Sequence, residues 1–188
     1  MGREGSTPSP GIVIRLALAL LVLLGLLAAA GAAGGSLRAG QLARVDHAAD
    51  GDTIDLSNGQ RVRLVQIDTP EEFFRPECYG LEAAAAARRL LPPGTLVRLV
   101  PEPPADLVDR FGRLLRYVTR VRDGLNVNLR LVKVGAAAPY FYDGVRGRYA
   151  ARLEQSARKA RAHRLGLWGR CAGTPYDPYR GVDTGPPR

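Results

Sequence analysis

Two short acidic segments contain the first residues whose types and spacing could do chemistry. They are residues 50–53 (DGDT) and residues 68–71 (DTPE). If Asn58-Gly59 forms a two-residue hairpin turn, Asp52 lies opposite Val65, and both segments meet at the same end of the hairpin. Crowded carboxylates repel one another unless a cation lies among them, and oxygen-only ligands suit Ca²⁺ or Mg²⁺. Ordinary turn and capping roles for the same aspartates are an equally open interpretation.

Arginines accompany these carboxylates. Arg63 lies five residues before Asp68, and Arg113 ends the segment DRFGR, residues 109–113, in front of a predicted strand. Hydrolysis of a phosphodiester needs a water nucleophile, a base that takes its proton, and cations that stabilise charge on the phosphoryl oxygens. Glu71 and the two arginines could supply the base and the cations. Solvated surface charges are the alternative interpretation of Glu71 and Arg113.

The composition points to an anionic partner. The 188 residues carry 27 Lys and Arg against 18 Asp and Glu, a formal net charge of +9, and only Lys133 and Lys159 are lysines. Because arginine can grip a phosphate through two hydrogen bonds, nucleic acid is the first candidate partner and an anionic membrane surface the second. A basic surface without a partner is the plain alternative. The length excludes two large domains, and the two histidines exclude a His-based triad or a zinc cluster.

The N-terminal 35 residues have the pattern of a targeting segment. Residues 16–33 are an apolar run with Arg3 and Arg15 before it and small residues at its end, as in an export signal peptide. The run is also just long enough to remain as an uncleaved signal anchor. We therefore expect a secreted or extracytoplasmic protein, or one anchored to a membrane through residues 16–33. Without residues 1–35 the net charge is still about +8.

The rest of the chain predicts one α+β domain over residues 42–171, with residues 36–41 as a linker and residues 172–188 as a disordered tail. The expected strands are residues 42–48, 53–56, 60–67, 96–100 and 114–121, and the expected helices are residues 79–91, 125–134 and 147–164. This order is compatible with a five-stranded Greek-key β-barrel of the OB type with three α-helices, a fold that binds oligonucleotides.

Three separated motifs carry a resemblance to a known family. They are residues 50–53, the stretch from Arg63 through residues 68–71, and residues 109–113, in this order along the chain. With these motifs the sequence resembles the thermonuclease family, the staphylococcal-nuclease-like domains, over about residues 42–171. Residues 165–168 (LGLW), after the last helix, support the resemblance.

The resemblance implies a Ca²⁺ site and a hydrolytic site. Glu71 matches the glutamate that positions or deprotonates the attacking water. Arg63 and Arg113 match the two arginines that hold the scissile phosphate. The implied Ca²⁺ ligands are the carboxylates of Asp52 and Asp68 and the carbonyl of Thr69, with Asp50 just outside the ligand shell.

The nucleotide contacts depart from the family pattern. Arg110 and Phe111 occupy the places of a lysine and a tyrosine, which affects nucleotide affinity and not the chemistry. Tyr140 and Tyr142 align with the family's aromatic residues only if one residue is deleted after Gly135. We take them as candidates for stacking on bases, the alternative being that one of them fills space in the core.

Cys78 and Cys171 are the only cysteines of the chain and lie 93 residues apart. An even number of cysteines in an exported protein favours a disulfide bond, which would tie the end of the last helix to the start of the first. Two free thiols are the alternative, because a sequence does not give the distance between the Cα atoms.

Together these features predict an exported, monomeric, Ca²⁺-dependent nuclease that cleaves DNA and RNA with little sequence preference and favours single or unpaired strands. A catalytically silent OB-fold module that binds nucleic acid is the alternative. Such a module should lack some of the two aspartates, the glutamate and the two arginines, and this chain has all five. A membrane-surface adaptor that uses the basic helix 147–164 is a third possibility.

Overall fold

The computed structural model describes residues 40–103 and 105–187 of the chain. The predicted signal or anchor segment and residues 36–39 of the predicted linker lie outside these residues, so export and anchoring stay predictions. Gln41, the last residue of the predicted linker, belongs to the first strand. Within the described ranges, no helix is both long and apolar enough to cross a membrane.

Five of the strands in the described part of the chain close into a barrel. In chain order the strands are β1 (Gln41–Ala48), β2 (Thr53–Leu56), β3 (Arg61–Leu64), β4 (Ile67–Asp68), β5 (Leu96–Val100), β6 (Leu114–Arg120) and β7 (Ala138–Pro139). The barrel order is β1-β2-β3-β6-β5, with β3 and β6 parallel and the other hydrogen-bonded neighbours antiparallel. The two short strands β4 and β7 pair with each other. The predicted five-stranded barrel is confirmed.

Helices α1 (Gly80–Leu90), α2 (Val127–Lys133) and α3 (Ala150–Ala162) lie within the three predicted helical stretches, and a short helix α4 (Leu167–Arg170) follows them. Helices α1 and α2 pack on β1 and β6 of the barrel, respectively, while α3 packs on α2 and β7. Leu131 of α2 and Leu153 of α3 are fully buried in one core with Val62 and Val118. Alternation along β3 turns Val62 and Leu64 into this core, and Arg63 therefore points to the outer face.

The β2–β3 hairpin differs from the predicted two-residue turn. Thr53 pairs with Arg63, and the Leu64 N–H donates to the carbonyl of Asp52 at 2.8 Å, so Asp52 lies opposite Leu64 and not opposite Val65. The loop has three residues because Gly59 adopts a left-handed conformation, φ 82°, and adds one residue to the turn. Both acidic segments still meet at one end of the hairpin.

The predicted third strand, residues 60–67, is divided in two. Gln66 has a φ of 64°, in the left-handed region that non-glycine residues rarely adopt, and it separates β3 from β4. Because of this break, Ile67 and Asp68 leave the barrel and pair with β7. The break directs Asp68 toward the site described below.

The C-terminal segment, residues 172–187, has no helix or strand but lies against the folded domain. Cys171 at its start is bonded to Cys78, with the Cα atoms 5.9 Å apart. Farther along, the Val182 N–H donates to Asp68 Oδ2 at 2.9 Å. The sequence predicts a disordered tail here because proline and glycine occur without periodicity. In the structure the segment is irregular but is held by the disulfide bond and by the hydrogen bond to Asp68, and neither contact requires a periodic sequence pattern.

Candidate active site

Arg63 lies at the centre of the acidic cluster, with a side chain that is 14% exposed. Its Nη2 atom is 2.8 Å from Asp52 Oδ2 and 2.7 Å from Asp68 Oδ1. Its Nη1 atom donates to the carbonyls of Leu64 and Ile67 at 2.9 and 2.8 Å. Four contacts thus fix the guanidinium group, and they bring the aspartates of the two acidic segments together.

Asp52 is the most buried of these carboxylates, at 6% exposure. Its Oδ2 atom also accepts the N–H of Thr69 at 3.2 Å. Burial raises the pKa of Asp52 to about 8, Arg63 opposes this rise, and the neighbouring carboxylates add to it. Burial and the neighbouring carboxylates thus outweigh Arg63 in setting the pKa of Asp52.

Asp50 shapes the loop in front of β2. Its Oδ1 atom accepts the N–H groups of Asp52 at 2.9 Å and Thr53 at 2.7 Å, which is the turn role that the sequence left open. The intervening Gly51 packs so closely that a Cβ atom there would lie 2.6 Å from Thr69 Oγ1. Asp50 thus fixes the position of Asp52 through the backbone.

Glu71 lies in the loop after β4, held against the start of α1. Its carbonyl accepts the N–H of Glu77 at 2.9 Å, and a Cβ atom on Gly80 would lie 2.1 Å from the same oxygen, so only glycine fits there. Burial and nearby carboxylates raise the pKa of Glu71, with Arg63 and Arg113 opposing. Among the described residues no side chain is bonded to the Glu71 carboxylate, which leaves it free to accept a proton.

Asp109 organises the loop in front of β6. Its Oδ1 atom accepts the N–H groups of Phe111 and Arg113, both at 2.9 Å, and its Oδ2 atom accepts Arg113 Nε at 2.6 Å. Burial acts to raise the pKa of Asp109, but these hydrogen bonds and the charge of Arg113 hold it below its usual value. Within the described part of the chain, the two terminal nitrogens of Arg113 have no hydrogen-bond or ion-pair partner and can bind a phosphate.

Arg63 and Arg113 line one groove of about 540 Å³. Tyr142 is 71% exposed and Phe111 is 68% exposed, although the guanidinium groups of Arg110 and Arg113 lie 4.7 and 5.4 Å from the Phe111 ring centroid. Exposed rings of this kind can stack on bases. The carboxylates of the acidic cluster lie outside the lining of the groove, and two of them contact Arg63. The groove also contains all four residues predicted to contact nucleotides: Arg110, Phe111, Tyr140 and Tyr142.

Gln66 is a positioning residue that sequence reasoning missed. Its side-chain amide donates to the carbonyl of Val145 at 2.8 Å, and its Oε1 atom accepts the Tyr117 hydroxyl and the Gly147 N–H, both at 3.0 Å. The Gln66 carbonyl accepts the N–H of Tyr140 at 3.0 Å. Gln66 therefore ties the break before β4 to the loop that carries the tyrosines. A lone glutamine in the apolar stretch LVQI is the only sequence signal.

Phe73 and Phe74, which sequence reasoning also missed, follow Glu71 in the same loop. Both are exposed, and Phe74 has a left-handed φ of 59°. Two adjacent phenylalanines in a loop beside an acidic motif are the signal that could have singled them out.

The donor set suits a hard divalent cation. Among the described residues no three acidic, histidine or cysteine side chains form a complete metal-binding group. Asp52 and Asp68 nevertheless share one guanidinium group, and Thr69 follows directly. Ca²⁺ and Mg²⁺ commonly complete a set of carboxylates with backbone carbonyls and water, and a cation here would lower the pKa of buried Asp52. The chemistry of these oxygen donors therefore suits such an ion.

Known proteins share this part of the sequence. A family model described as Staphylococcal nuclease homologue matches residues 61–170. The SPbeta prophage-derived endonuclease YokF of Bacillus subtilis (strain 168) is 31% identical over 132 residues, 67% of this chain and 43% of the relative. Endonuclease YncB of the same organism is 31% identical over 132 residues, 67% of this chain and 61% of the relative. The thermonuclease of Staphylococcus intermedius is 34% identical over 128 residues, 64% of this chain and 72% of the relative.

The closed barrel and its helices define an α+β protein of the OB type. The family match covers more than half of the chain, and the chain belongs to the staphylococcal nuclease homologue family. The aligned region spans less than two thirds of each of the two Bacillus endonucleases described above.

Proposed function

We propose that this protein is a nuclease that hydrolyses phosphodiester bonds of DNA and RNA. The observation that carries the proposal is that Arg63 and Arg113 line one groove. The free carboxylate of Glu71 lies near both arginines, close enough for their charges to lower its pKa. Membership of the family supports the proposal, as do relatives whose names are endonuclease and thermonuclease.

In the proposed reaction, Glu71 takes a proton from the attacking water. Its carboxylate is unpaired among the described residues, and its raised pKa makes it a better base. Arg113 donates from its two terminal nitrogens to phosphoryl oxygens on which negative charge develops. Its Nε stays bonded to Asp109, which holds the guanidinium fork in one orientation.

The metal in this proposal is Ca²⁺, held by Asp52, Asp68 and the carbonyl of Thr69. When bound, a divalent cation supplies positive charge to the phosphoryl oxygens. Arg63 contacts both aspartates and also lines the groove, so its charge acts on the carboxylates and on the substrate.

The preferred substrate in this proposal is a single or unpaired strand. The exposed rings of Phe111 and Tyr142 support this choice, because bases stack on such rings without regard to sequence once they are free of a duplex. We also propose that the protein is exported through residues 16–33. The disulfide bond supports this proposal, because such bonds persist in oxidising compartments.

Cleavage of labelled single-stranded DNA and RNA, with Ca²⁺ and with excess chelator, tests the proposal. We expect cleavage with Ca²⁺ and none with chelator. Glu71→Gln and Arg113→Ala should each slow cleavage by at least about tenfold, because each group acts on charge that develops in the transition state. Glu82→Gln is the matched control for the glutamate, since Glu82 lies in the first turn of α1, outside the site. Tight binding without any cleavage would refute the nuclease and support the silent OB-fold module.

A further inference from the structure

A second cleft, distinct from the active-site groove, lies at the C-terminal end of α3. Its volume is about 610 Å³, and none of its lining residues is shared with the groove. Three arginines line it, Arg158, Arg161 and Arg164, together with Trp168. In the described part of the chain none of these arginines has an ion-pair partner within 4 Å, so the cleft has an excess of positive charge.

Arg161 is held by stacking and not by a carboxylate. Its guanidinium carbon lies 5.4 Å from the ring centroid of Trp168 and 5.0 Å from that of Tyr176. Contact of this kind orients a guanidinium group while its N–H groups, which point outward in the guanidinium plane, remain available to an anion. The cleft therefore contains a pre-oriented cation next to an aromatic ring.

Arg164 occupies a position that normally favours glycine. Helix α3 ends in a Schellman motif, in which the Leu165 N–H donates to the Ala160 carbonyl at 2.9 Å and the Arg164 N–H to the Arg161 carbonyl at 3.0 Å. Arg164 has the left-handed φ of 52° that this motif requires, a conformation that costs energy in any residue with a Cβ atom. Backbone geometry thus favours glycine here, and the arginine adds a third positive charge to the lining of the cleft.

Neither the helix dipole nor a membrane surface accounts for these charges as well as a bound nucleic-acid strand does. The dipole favours cations in the last turn of α3, where Lys159 and Arg161 lie, but it accounts neither for the cleft nor for the residue at position 164. Insertion into an anionic membrane would need an exposed apolar face, whereas purely electrostatic adsorption would not and is tested below with vesicles. The apolar face of α3, which includes Leu153 and Ala157, is buried in the core.

We propose that this cleft is a second binding site for the phosphodiester backbone of the nucleic acid that the active-site groove cleaves. The inference rests on the proposed function. Asp143 and Val145 line the groove shortly before α3 begins, and the cleft is at the other end of that helix. A helix of 13 residues is about 20 Å long. At about 3.4 Å per stacked nucleotide, a strand of roughly six nucleotides covers this length.

Tryptophan fluorescence gives a local readout of the proposal, because Trp168 is the only tryptophan of the chain. The protein is titrated in chelator with an oligothymidylate of about 18 nucleotides and with one of about four, whose integrity is checked on a gel. Only the longer strand can reach both sites. At concentrations at which the longer strand saturates the protein, we expect the longer strand to change the emission of Trp168 and the shorter strand to leave it unchanged.

Arg164→Gly separates folding from binding. The substitution suits the left-handed position, so the unfolding temperature should stay the same or rise. Affinity for the long strand should fall by roughly fivefold, the equivalent of one exposed ion pair, and the slope of log K against log salt should fall by about 0.7. Affinity for the short strand should not change. Arg130→Ala removes the same charge from the exposed face of α2 and is the matched control.

Three results would overturn the inference. They are long-strand binding by Arg164→Gly as tight as that of the wild type, an equal loss in Arg130→Ala, or a Trp168 response to phosphatidylglycerol vesicles but not to the long strand. The cleavage assay is scored separately. A wild-type protein that binds the long strand at Trp168 without cleaving it would refute the nuclease and leave the cleft as a nucleic-acid site.

Discussion

The disulfide bond between Cys78 and Cys171 closes a loop that spans 93 residues. We predict that replacing both cysteines with serine lowers the free energy of unfolding by about 4–5 kcal/mol. For this loop length, the chain-entropy relation gives roughly 16 cal/mol/K, or about 4.6 kcal/mol at 25 °C, as the stabilisation lost when the unfolded chain is no longer cross-linked.

The packing around the bond supports a value near this figure. Both cysteines are buried and belong to a small apolar cluster with Leu167 and Val182. Serine hydroxyls in such surroundings gain little, so no new interaction offsets the loss of the cross-link. For a domain of this size, the expected loss lowers the unfolding temperature by about 10–20 °C.

Urea unfolding of the two proteins, without reductant, measures the difference directly. A variant that ends at residue 174 is the control, because it keeps the disulfide bond but lacks the contacts of the C-terminal segment. A loss below about 1 kcal/mol in the double-serine variant would refute the loop-closure reasoning. A comparable loss in the truncated variant would assign the effect to the contacts of the segment.

Three further predictions concern residues that position the site. Asn128→Ala should lower the free energy of unfolding in urea by about 2–5 kcal/mol, because it leaves the buried N–H of Val118 and carbonyl of Val65 without the hydrogen bonds that the Asn128 side chain makes. A loss under about 1 kcal/mol would contradict this. Gly80→Ala should slow cleavage at least about tenfold despite the better helix propensity of alanine, since its Cβ atom would displace the Glu71 backbone; an unchanged rate would exclude that role. Asp109→Asn should lower the unfolding temperature most near neutral pH. The pKa of Asp109 is lower in the folded protein, so its stabilisation is full above about pH 4 and is lost as the pH falls through the lowered value; a difference that grows toward acid pH would contradict this.

The strands and helices could be predicted because local patterns determine them. Alternating apolar residues in β2 and β3, and the alanine-rich run of α1 before Pro92-Pro93, report burial and helix propensity without reference to the rest of the chain. The register of the hairpin was wrong by one residue. Asn58-Gly59 permits both a two-residue and a three-residue turn, and only the pairing of Thr53 with Arg63 decides between them.

The site residues could be proposed from motif order, but their supports could not. Gln66 holds its unusual backbone conformation because its side chain is bonded to residues 79 and 81 positions farther along the chain. No local propensity reports a contact at such a distance. The same holds for Gly80, which the sequence presents as a helix start and which lets the Glu71 carbonyl approach α1.

Asp68 shows most clearly how remote segments position one carboxylate. Its Oδ1 atom contacts Arg63 of β3, its backbone pairs with Ala138, and its Oδ2 atom accepts the N–H of Val182, which lies 114 residues later. The family model ends at residue 170, so the last of these contacts comes from beyond the matched region. The disulfide bond at Cys171 keeps that segment near the site. The position of Asp68 therefore depends on the cross-linked C-terminal part of the chain as much as on the hairpin that carries the acidic motifs.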